Sequence, residues 1–574
     1  MNRKNISKYL IAATLCCGGA AALDSCSDWD DHYDANTALT DTQQSTLWEN
    51  IANTGNLSQF ASLLKKANYD AILNASQTYT VWAPVNDSFD YDAVNAMSTE
   101  QLRKEFIENH IARSNYPAAG AVNLPIYTLN EKLMHFSGQQ GYDIQGVGVE
   151  RANFASGNGT IHLLNGKIPF VQNIYEALNN HEFPIDSVSN FYHSFDVRKL
   201  DELKSVQGPT LNGEITYLDS VYDEHNDLFT DYFAYINRED SNYSMVVPTN
   251  NAWIKAKEQV KQYFHYLPSF EFIENTSTNL KTTVKITDVN YLQDSISNLM
   301  LTASLFFNNN LYDNKKLMTL KTGETLQCDS LYSTIGTKMY AEDAAQLFQN
   351  AIRADRSNGI SWITDDLNMK PWLFWNPEIK IEGESSLYLS STDKVSEPTQ
   401  RQYVVKENQN PLIAGQLSQD AYLEAQPASS SVNPGVVYYL PNVRSTTYSI
   451  YIVMVPPHIV GNVGDNKPNR FNVSMGYADA TGSNDDNNRK WLVESAFVTD
   501  TTKIDTIYLG DFTFPMAYMG TGSYYPYMRI NSSVTSRERN NYDRTLRIDC
   551  IILRPKELDD YLKAHPDYKY DKGE

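Results

Sequence analysis

Cysteine is scarce in this chain, and no apolar run after residue 23 is long enough to span a bilayer as a helix. The 574 residues include five cysteines, of which only Cys328 and Cys550 follow residue 26. Two cysteines cannot form a zinc site by themselves, and their distance in the sequence favours two separate buried thiols over a disulfide. The sequence therefore argues against a structural disulfide, a zinc centre and a bundle of membrane helices.

Sequence signatures of catalysis are also missing. The chain has no HExxH, GxSxG or GxxxxGK[ST] motif, and its many carboxylates make a chance glycosidase-like pair unavoidable. Its net charge of −22 repels nucleic acid and anionic lipid. We therefore expect a protein that is not an enzyme, uses no cofactor or metal and does not bind nucleic acid. A chain of this length is also expected to form several domains.

The N-terminus has the pattern of a secretion signal. Three positive residues (Arg3, Lys4 and Lys8) precede an apolar run at 9–23 that is too short for a membrane span. The run ends in Leu23-Asp24-Ser25-Cys26, which resembles a bacterial lipobox. That resemblance implies a signal peptide at 1–25 and a lipidated Cys26, whose acyl chains would hold the protein to a membrane. A plain secretion signal is the alternative.

An acidic tether follows at 26–44. Its first residues, Ser27-Asp28-Trp29-Asp30-Asp31, resemble the surface-export signal of lipoproteins in glycan-degrading Gram-negative bacteria. This resemblance implies a lipid-anchored protein on the extracellular face of the outer membrane.

The first globular unit has a helical face followed by three distinctive segments. Leu57, Phe60, Leu63, Leu64 and Ala67 recur at helical spacing. The segments are 80–89 (TVWAPVNDSF), Asn109-His110 with Tyr116, and 158–169 (NGTIHLLNGKIP). In this order they resemble the fasciclin-like (FAS1) domain family, which implies an α+β fold, a β-wedge with helices, at 45–171. His110 and His162 could be metal ligands or bases, but the absence of nearby carboxylates favours structural hydrogen bonds.

A weaker copy of the pattern follows at 172–375. The segment 244–253 (SMVVPTNNAW) repeats the strand and turn, 319–323 resembles a mid-domain hairpin, and 357–371 mirrors the closing segment with Ser361 in place of His162. Phe306 and Phe307 occupy the region of the middle histidine. We expect a second, diverged fasciclin-like domain in tandem with the first. An aromatic insertion near 200–240 is either a packed hairpin or a contact surface, and packing is favoured.

Short alternating strands bounded by Gly, Pro, Asn and Ser replace the helical spacing from about residue 376. This pattern predicts an all-β, jelly-roll-like sandwich at 376–555. The end of its last strand, at 546–555, resembles galactose-binding-like modules, in which the last strand lies beside the first. The charged tail at 556–574 is expected to be a frayed helix.

One loop of this sandwich is rich in tyrosine. Tyr518, Tyr524, Tyr525 and Tyr527 lie close to glycines, and aromatic faces can stack on a sugar ring or anchor an interface. These four residues are the candidate ligand-binding site, with a core-packed loop as the alternative. Asp485-Asp486-Asn487-Asn488 offers oxygen ligands for Ca²⁺ without the spacing of an EF-hand, which favours a solvated loop.

Two functions are consistent with these features. Lipoproteins of this export class resemble accessory subunits of SusC/SusD-type complexes, in which a TonB-dependent barrel imports glycans or peptides. Fasciclin-like domains also resemble adhesins. An adhesin would bind a ligand on other cells and would have no transporter partner. The outer-membrane location favours the accessory, ligand-binding subunit, with an adhesin as the alternative.

Overall fold

The computed structural model describes residues 44–211, 213–275, 278–404, 416–457, 467–484 and 496–570. The expected signal peptide, Cys26, most of the tether and the segment 485–488 lie outside these ranges. Within them, no helix is both long and apolar enough to cross a membrane. Cys328 and Cys550 are separate, buried thiols, as expected from the sequence.

The first unit (residues 44–168) is one seven-stranded sheet covered by helices. Its helices are α1 (Leu47–Asn53), α2 (Ser58–Lys66), α3 (Tyr69–Asn74), α4 (Tyr91–Asn95) and α5 (Thr99–Gln101), with 3-10 turns at Gly55–Leu57 and Glu108–His110 and a π-helical stretch at Leu102–Ile107. Its strands are β1 (Tyr79–Pro84), β2 (Ile111–Arg113), β3 (Val122–Tyr127), β4 (Leu133–Gly138), β5 (Tyr142–Ile144), β6 (Val147–Ser156) and β7 (Gly159–Leu164). The strand order is β2-β1-β7-β6-β5-β4-β3.

The helices form where the sequence caps them and gives them one apolar face. Thr46 begins α1 with a capping box, in which its hydroxyl accepts from the Glu49 N–H and the Glu49 carboxylate accepts from the Thr46 N–H. The predicted apolar face is fully covered, with Phe60, Leu63 and Leu64 at 0 % exposure. Burial of this face holds the helices on the sheet.

Strands β1 and β7 form a parallel pair inside the sheet, and β7 starts at Asn158-Gly159. Tyr79 lies opposite Gly159 and Pro84 lies opposite Leu164. Gly159 has a φ of +152°, and a Cβ there would lie 1.9 Å from the Tyr79 carbonyl oxygen. A glycine is therefore required at this position.

Asn158 ties this strand start to the helices. Its side-chain oxygen accepts from the Leu47 N–H at 2.7 Å, and its side-chain amide donates to the carbonyls of Leu73 and Ala75 at 2.9 and 2.7 Å. One asparagine thus satisfies backbone groups at the start of α1 and the end of α3, which have no partner within their own helices.

The second unit (residues 173–375) contains a four-stranded sheet and four separate pairs of strands. Its helices are α6 (Asp186–His193), α7 (Asp227–Asp231), α8 (Asn250–Lys261), α9 (Val289–Thr302), α10 (Ala341–Phe348) and α11 (Pro371–Phe374), with 3-10 helices at Glu176–Asn179 and Tyr312–Met318. Its strands are β8 (Asp196–Leu200), β9 (Val206–Leu211), β10 (Glu214–Asp219), β11 (Tyr222–Asn226), β12 (Tyr243–Pro248), β13 (Ser269–Asn275), β14 (Leu280–Lys285), β15 (Phe306–Asn308), β16 (Ser330–Tyr332), β17 (Lys338–Tyr340), β18 (Ile352–Arg356) and β19 (Gly359–Thr364).

This unit repeats the central geometry of the first. Its sheet has the order β15-β12-β19-β18, with β12 and β19 parallel and Tyr243 opposite Gly359. Asn358 repeats the contacts of Asn158, since its oxygen accepts from the Ile174 N–H at 2.9 Å and its amide donates to the carbonyls of Ile236 and Arg238 at 2.7 and 2.9 Å.

The register corrects two predictions in this unit. Trp362, and not Ser361, occupies the position of His162, because Trp362 pairs with Val246 as His162 pairs with Trp82. The segment 319–323 is a turn that follows the Tyr312–Met318 helix and is not a hairpin; the hairpin is β16–β17. Short motifs do not determine which residues of two strands lie opposite each other, because the pairing of the strands sets this register.

The aromatic insertion contains two antiparallel pairs of strands, β8–β11 and β9–β10. Phe229 and Tyr232, at the C-terminal end of the insertion, are buried at 1 % and 0 % exposure, which agrees with the packing interpretation. Phe233 is instead 62 % exposed. The insertion therefore anchors itself through its C-terminal end.

The C-terminal β region has two sheets that share one core. Its strands are β20 (Ile379–Glu382), β21 (Leu389–Asp393), β22 (Val395–Val404), β23 (Ala421–Pro427), β24 (Gly435–Tyr439), β25 (Thr447–Met454), β26 (Arg470–Gly476), β27 (Phe497–Val498), β28 (Asp505–Thr513), β29 (Tyr527–Ser532) and β30 (Leu546–Pro555), with a 3-10 turn at Ser418–Asp420. One sheet has the order β22-β23-β30-β25-β28 with β20 on β30, and the other has the order β21-β24-β29-β26-β27. The first strand, β20, pairs with the last, β30, as expected.

The tail is helical but not frayed. Helix α12 (Lys556–Ala564) buries Leu558 completely in the core of the second unit. The hydroxyl of Tyr568 donates to Asp343 at 2.8 Å, and the indole N–H of Trp372 donates to the same hydroxyl at 3.1 Å. The tail therefore links the β region to the second unit, an arrangement that its charged composition did not reveal.

A buried lysine links the first two units. The Lys132 ammonium lies 2.5 Å from a Glu176 carboxylate oxygen and 2.6 Å from a Glu239 oxygen, and its side chain is only 3 % exposed. Glu176 and Glu239 belong to the second unit. Removing one partner of such a group leaves a buried charge unpaired, so this contact restrains the two units.

We expect Gly159→Ala and Gly359→Ala each to lower the free energy of unfolding by about 2–3 kcal/mol, because each new Cβ meets a backbone carbonyl oxygen. Gly55→Ala is the matched control, since a Cβ at Gly55 has no atom within 4 Å. Denaturant titration of the three variants measures the effect. Midpoints equal to that of the control for both variants would contradict the proposed requirement for glycine.

Candidate binding site

Two of the four predicted tyrosines are core residues. Tyr518 is 2 % exposed and Tyr527 is 1 % exposed. The Tyr518 hydroxyl accepts from the Ala478 N–H at 2.8 Å, and a Cβ on Gly476 would lie 2.1 Å from the Tyr527 ring. The ring faces of Tyr518 and Tyr527 are covered and cannot be offered to a ligand in this structure.

The hairpin β13–β14 explains this burial. It extends from the second unit onto the β region, where Phe270 joins the core and Ile273 packs with Val437 and Tyr527. A hydrogen bond also holds this contact, since the Tyr266 hydroxyl donates to the Met519 carbonyl at 2.7 Å. The tyrosine loop is thus part of an interface within the chain.

Tyr524 and Tyr525 are half-buried and belong to a group of four rings. The Tyr524 ring lies 5.1 Å from Phe272 in an edge-to-face arrangement. Tyr439 lies 6.2 Å from Phe272 and 6.5 Å from Tyr525. We call these four half-buried residues the aromatic seam. Its rings come from β13, β24 and the loop before β29, so it is built from both the second unit and the β region.

A charged pair, Glu271 and Lys281, lies on the same hairpin as Phe272. The Glu271 carboxylate accepts from the Asn484 N–H at 2.9 Å and lies 3.2 Å from the Lys281 ammonium. The hydrogen bond from Asn484, with Lys281 nearby, holds the pKa of the Glu271 carboxyl below its ordinary value. Aromatic faces next to fixed polar groups can bind a ligand that has both apolar and hydrogen-bonding surfaces.

His110 and His162 of the first unit form hydrogen bonds with backbone groups. His110 is fully buried, and its Nδ1 lies 2.7 Å from the Phe106 carbonyl while its Nε2 accepts from the Ile168 N–H at 2.9 Å. Burial lowers the pKa of His110 to about 4. His162 Nε2 lies 2.9 Å from the Tyr116 carbonyl, and burial also lowers its pKa. These contacts agree with the structural interpretation of the two histidines.

Other titratable groups are equally enclosed. Burial raises the pKa of Asp549 to about 7, but Asp549 is only 2 % exposed and its carboxylate accepts from the Ser418 N–H. Burial raises the pKa of the Cys328 thiol to about 11, so little reactive thiolate forms at neutral pH. Among the residues described, no group of three or more metal-ligating side chains is placed to hold a metal ion.

Phe272 and Tyr439 were missed by the sequence argument. Phe272 lies more than 200 positions before the tyrosine loop and in a different predicted domain, and Tyr439 is the last residue of β24. Only the packing of hairpin β13–β14 brings them to Tyr524 and Tyr525. The alternation within 269–275 signals a strand but does not identify the surface that it covers.

We expect Tyr527→Ala to lower the free energy of unfolding by about 3–5 kcal/mol, because it leaves a cavity in the buried contact with Ile273 and Val437. Tyr525→Ala removes a half-buried ring and should cost about 1 kcal/mol or less. Denaturant titration compares these two neighbouring tyrosines directly. Equal losses of stability would contradict their assignment to core and surface.

Comparison with known proteins places the first unit in a family. Residues 55–168 match the model of the Fasciclin domain. A FAS1 domain pair from the insect cell adhesion molecule fasciclin I is 13% identical, with a TM-score of 0.19 over 56% of this chain and 98% of that chain. A Paenibacillus xanthan lyase is 14% identical, with a TM-score of 0.21 over 35% of this chain and 16% of the lyase.

At these TM-scores, neither structural likeness specifies a fold or a function for the chain. No curated protein matches the sequence. The family model covers the first two segments, the third segment up to residue 168, and both histidines. Residues 55–168 are therefore a fasciclin domain.

Proposed function

We propose that this chain is a non-enzymatic lipoprotein on the outer-membrane surface and an accessory, ligand-binding subunit of a SusC/SusD-type TonB-dependent uptake complex. The ligand is a glycan or a peptide, and the aromatic seam contacts it. One observation carries this proposal: four half-buried rings from separate segments form a single patch, while the adjacent Tyr518 and Tyr527 are covered.

The fold and the sequence support this proposal. A fasciclin domain is a cell-surface or adhesion-type fold, which suits the location implied by the lipobox at Cys26. The repeated Asn-Gly strand start supports the proposal that the second unit is a diverged fasciclin-like domain. The pairing of β20 with β30 supports a jelly-roll-like, galactose-binding-like β region.

The second candidate function is adhesion. It is favoured by the fasciclin domain at 55–168, and it needs a ligand on another cell instead of a transporter. The aromatic seam could serve either function, so the partner distinguishes the two.

An affinity pull-down of the tagged full-length protein from gently solubilised outer membranes tests the proposal, with co-purifying proteins identified by mass spectrometry. We expect a TonB-dependent barrel and its lid lipoprotein at near-equal amounts. Recovery of the chain alone, from an extract in which the barrel and lid remain associated, would contradict the uptake role. Cell aggregation lost on deletion of the gene would then support adhesion.

Two variants locate the ligand contact. Tyr524→Ala with Tyr525→Ala should weaken ligand binding at least tenfold while the barrel still co-purifies, since the rings are proposed to contact ligand and not the transporter. Tyr291→Ala is the matched control, because this tyrosine is 42% exposed on α9, outside the seam. Unchanged ligand binding in the double variant would rule out the aromatic seam as the ligand site.

A further inference from the structure

The hairpin β16–β17 presents a polar and aromatic face on the second unit, away from the aromatic seam. Leu331 pairs with Met339, and both side chains are fully buried. Successive residues of a strand point to opposite faces. The other face of this hairpin therefore consists of half-exposed residues, which are Ser330, Tyr332, Lys338 and Tyr340.

The Lys338 ammonium lies over both tyrosine rings of this face. It is 5.5 Å from the centroid of Tyr332 and 4.7 Å from that of Tyr340, within the range of cation–π attraction. Hydrogen bonds to Tyr332 and Tyr340 raise the pKa of Lys338 to about 12. A charged donor is thus fixed between the two rings, and it already occupies the position that a cationic ligand would need.

Tyr312 extends this face outward. Its ring stacks on Tyr332 with centroids 4.4 Å apart and an interplanar angle of 32°. Tyr332 therefore supports one face of Tyr312, while 67 % of Tyr312 remains exposed. Tyr312 also has a φ of +49°, a conformation that is unfavourable for an aromatic residue and that clusters at functional sites.

A cleft of about 550 Å³ begins beside this hairpin face. Its lining comes from the hairpin (Ser330, Lys338 and Tyr340), the start of α10 and the C-terminal tail. Asp343 and Tyr568 bond to each other at 2.8 Å. The exposed lining includes carboxylates (Asp329, Glu342, Asp567) and the Lys569 ammonium. The volume is in the range of small-molecule sites.

The chemistry of the cleft favours a neutral ligand with many hydroxyl groups. Carboxylates accept and ammonium groups donate hydrogen bonds, so hydroxyls can pair with both. An acidic ligand is disfavoured by the three exposed carboxylates and by the net charge of −22. The exposed face of Tyr312 offers an apolar platform on the same hairpin face, where Tyr332 and Lys338 connect it to the cleft.

We propose that this cleft and the adjoining tyrosine face bind a neutral oligosaccharide, with Tyr312 as the stacking platform. The charged groups of the cleft then bond to sugar hydroxyls. This site is separate from the aromatic seam and does not depend on a transporter partner, so it can exist whether the chain serves uptake or adhesion.

Tyr312→Gly tests the platform without disturbing the fold, because glycine accepts a positive φ readily. We expect the melting temperature to stay the same or to rise. The full-length protein in detergent is run through native gels containing dextran, laminarin, xyloglucan or galactomannan as neutral probes and polygalacturonate as an acidic probe. We expect retardation by at least one neutral polysaccharide and an at least tenfold weaker apparent affinity for Tyr312→Gly.

Two further variants sharpen the result. Asp567→Asn keeps the shape of the side chain but removes a charged acceptor, and it should weaken retardation several-fold. Tyr291→Ala, a matched exposed tyrosine outside the site, should bind as the unchanged protein does. The proposal is overturned if no neutral polysaccharide retards the protein, if only polygalacturonate does, or if Tyr312→Gly is retarded as strongly as Tyr291→Ala. None of these outcomes alters the expected recovery of a transporter.

Discussion

The structure depends on one constraint that occurs twice, the start of a central parallel strand at Asn-Gly. At Gly159 and Gly359 a Cβ would lie 1.9 Å from the carbonyl oxygen of the partner strand, so only glycine allows the strands to approach. The preceding Asn158 and Asn358 then satisfy three backbone groups each from neighbouring segments. The same Asn-Gly pair thereby fixes the strand pairing, the turn and the position of the adjacent helices. The buried asparagine side chain also has hydrogen-bond partners for both its oxygen and its amide.

The side chains around this constraint can change as long as the volume is filled. In the first unit Trp82 stacks on His162 with centroids 5.8 Å apart; in the second, Val246 lies opposite Trp362. The larger residue of the pair is Trp82 on β1 in the first unit and Trp362 on β19 in the second, so the volume between the strands is filled in both. A histidine whose place can be taken by tryptophan in the same geometry has a packing role. Surface features, such as the aromatic seam and Tyr312, are therefore where the function of this chain is to be sought.

Local patterns predicted much of the fold, because they depend on short-range physics. The helical face at Phe60 and Leu63 follows from periodicity, and the strand within 80–84 follows from an apolar run that ends in a turn. The fasciclin domain follows from the resemblance of three short segments to that family. The candidate site was predicted only in part. Tyr524 and Tyr527 are three residues apart, equally aromatic and both in contact with hairpin β13–β14. Tyr524 is half-buried but Tyr527 is buried, because Tyr527 also packs on Val437 and against Gly476. No local pattern encodes that contact, and the same is true of the packed tail.

Hydrogen exchange of Asn358→Ala in the full-length protein tests the shared strand start most directly. Removing the side-chain amide leaves buried backbone groups of the second unit without partners, so the amides of β12 and β19 should exchange faster than in the unchanged protein. Those of β1 and β7 should keep their protection, because Asn158 still holds them. Unchanged protection of β12 and β19 would show that the asparagine is not the constraint on which the unit depends.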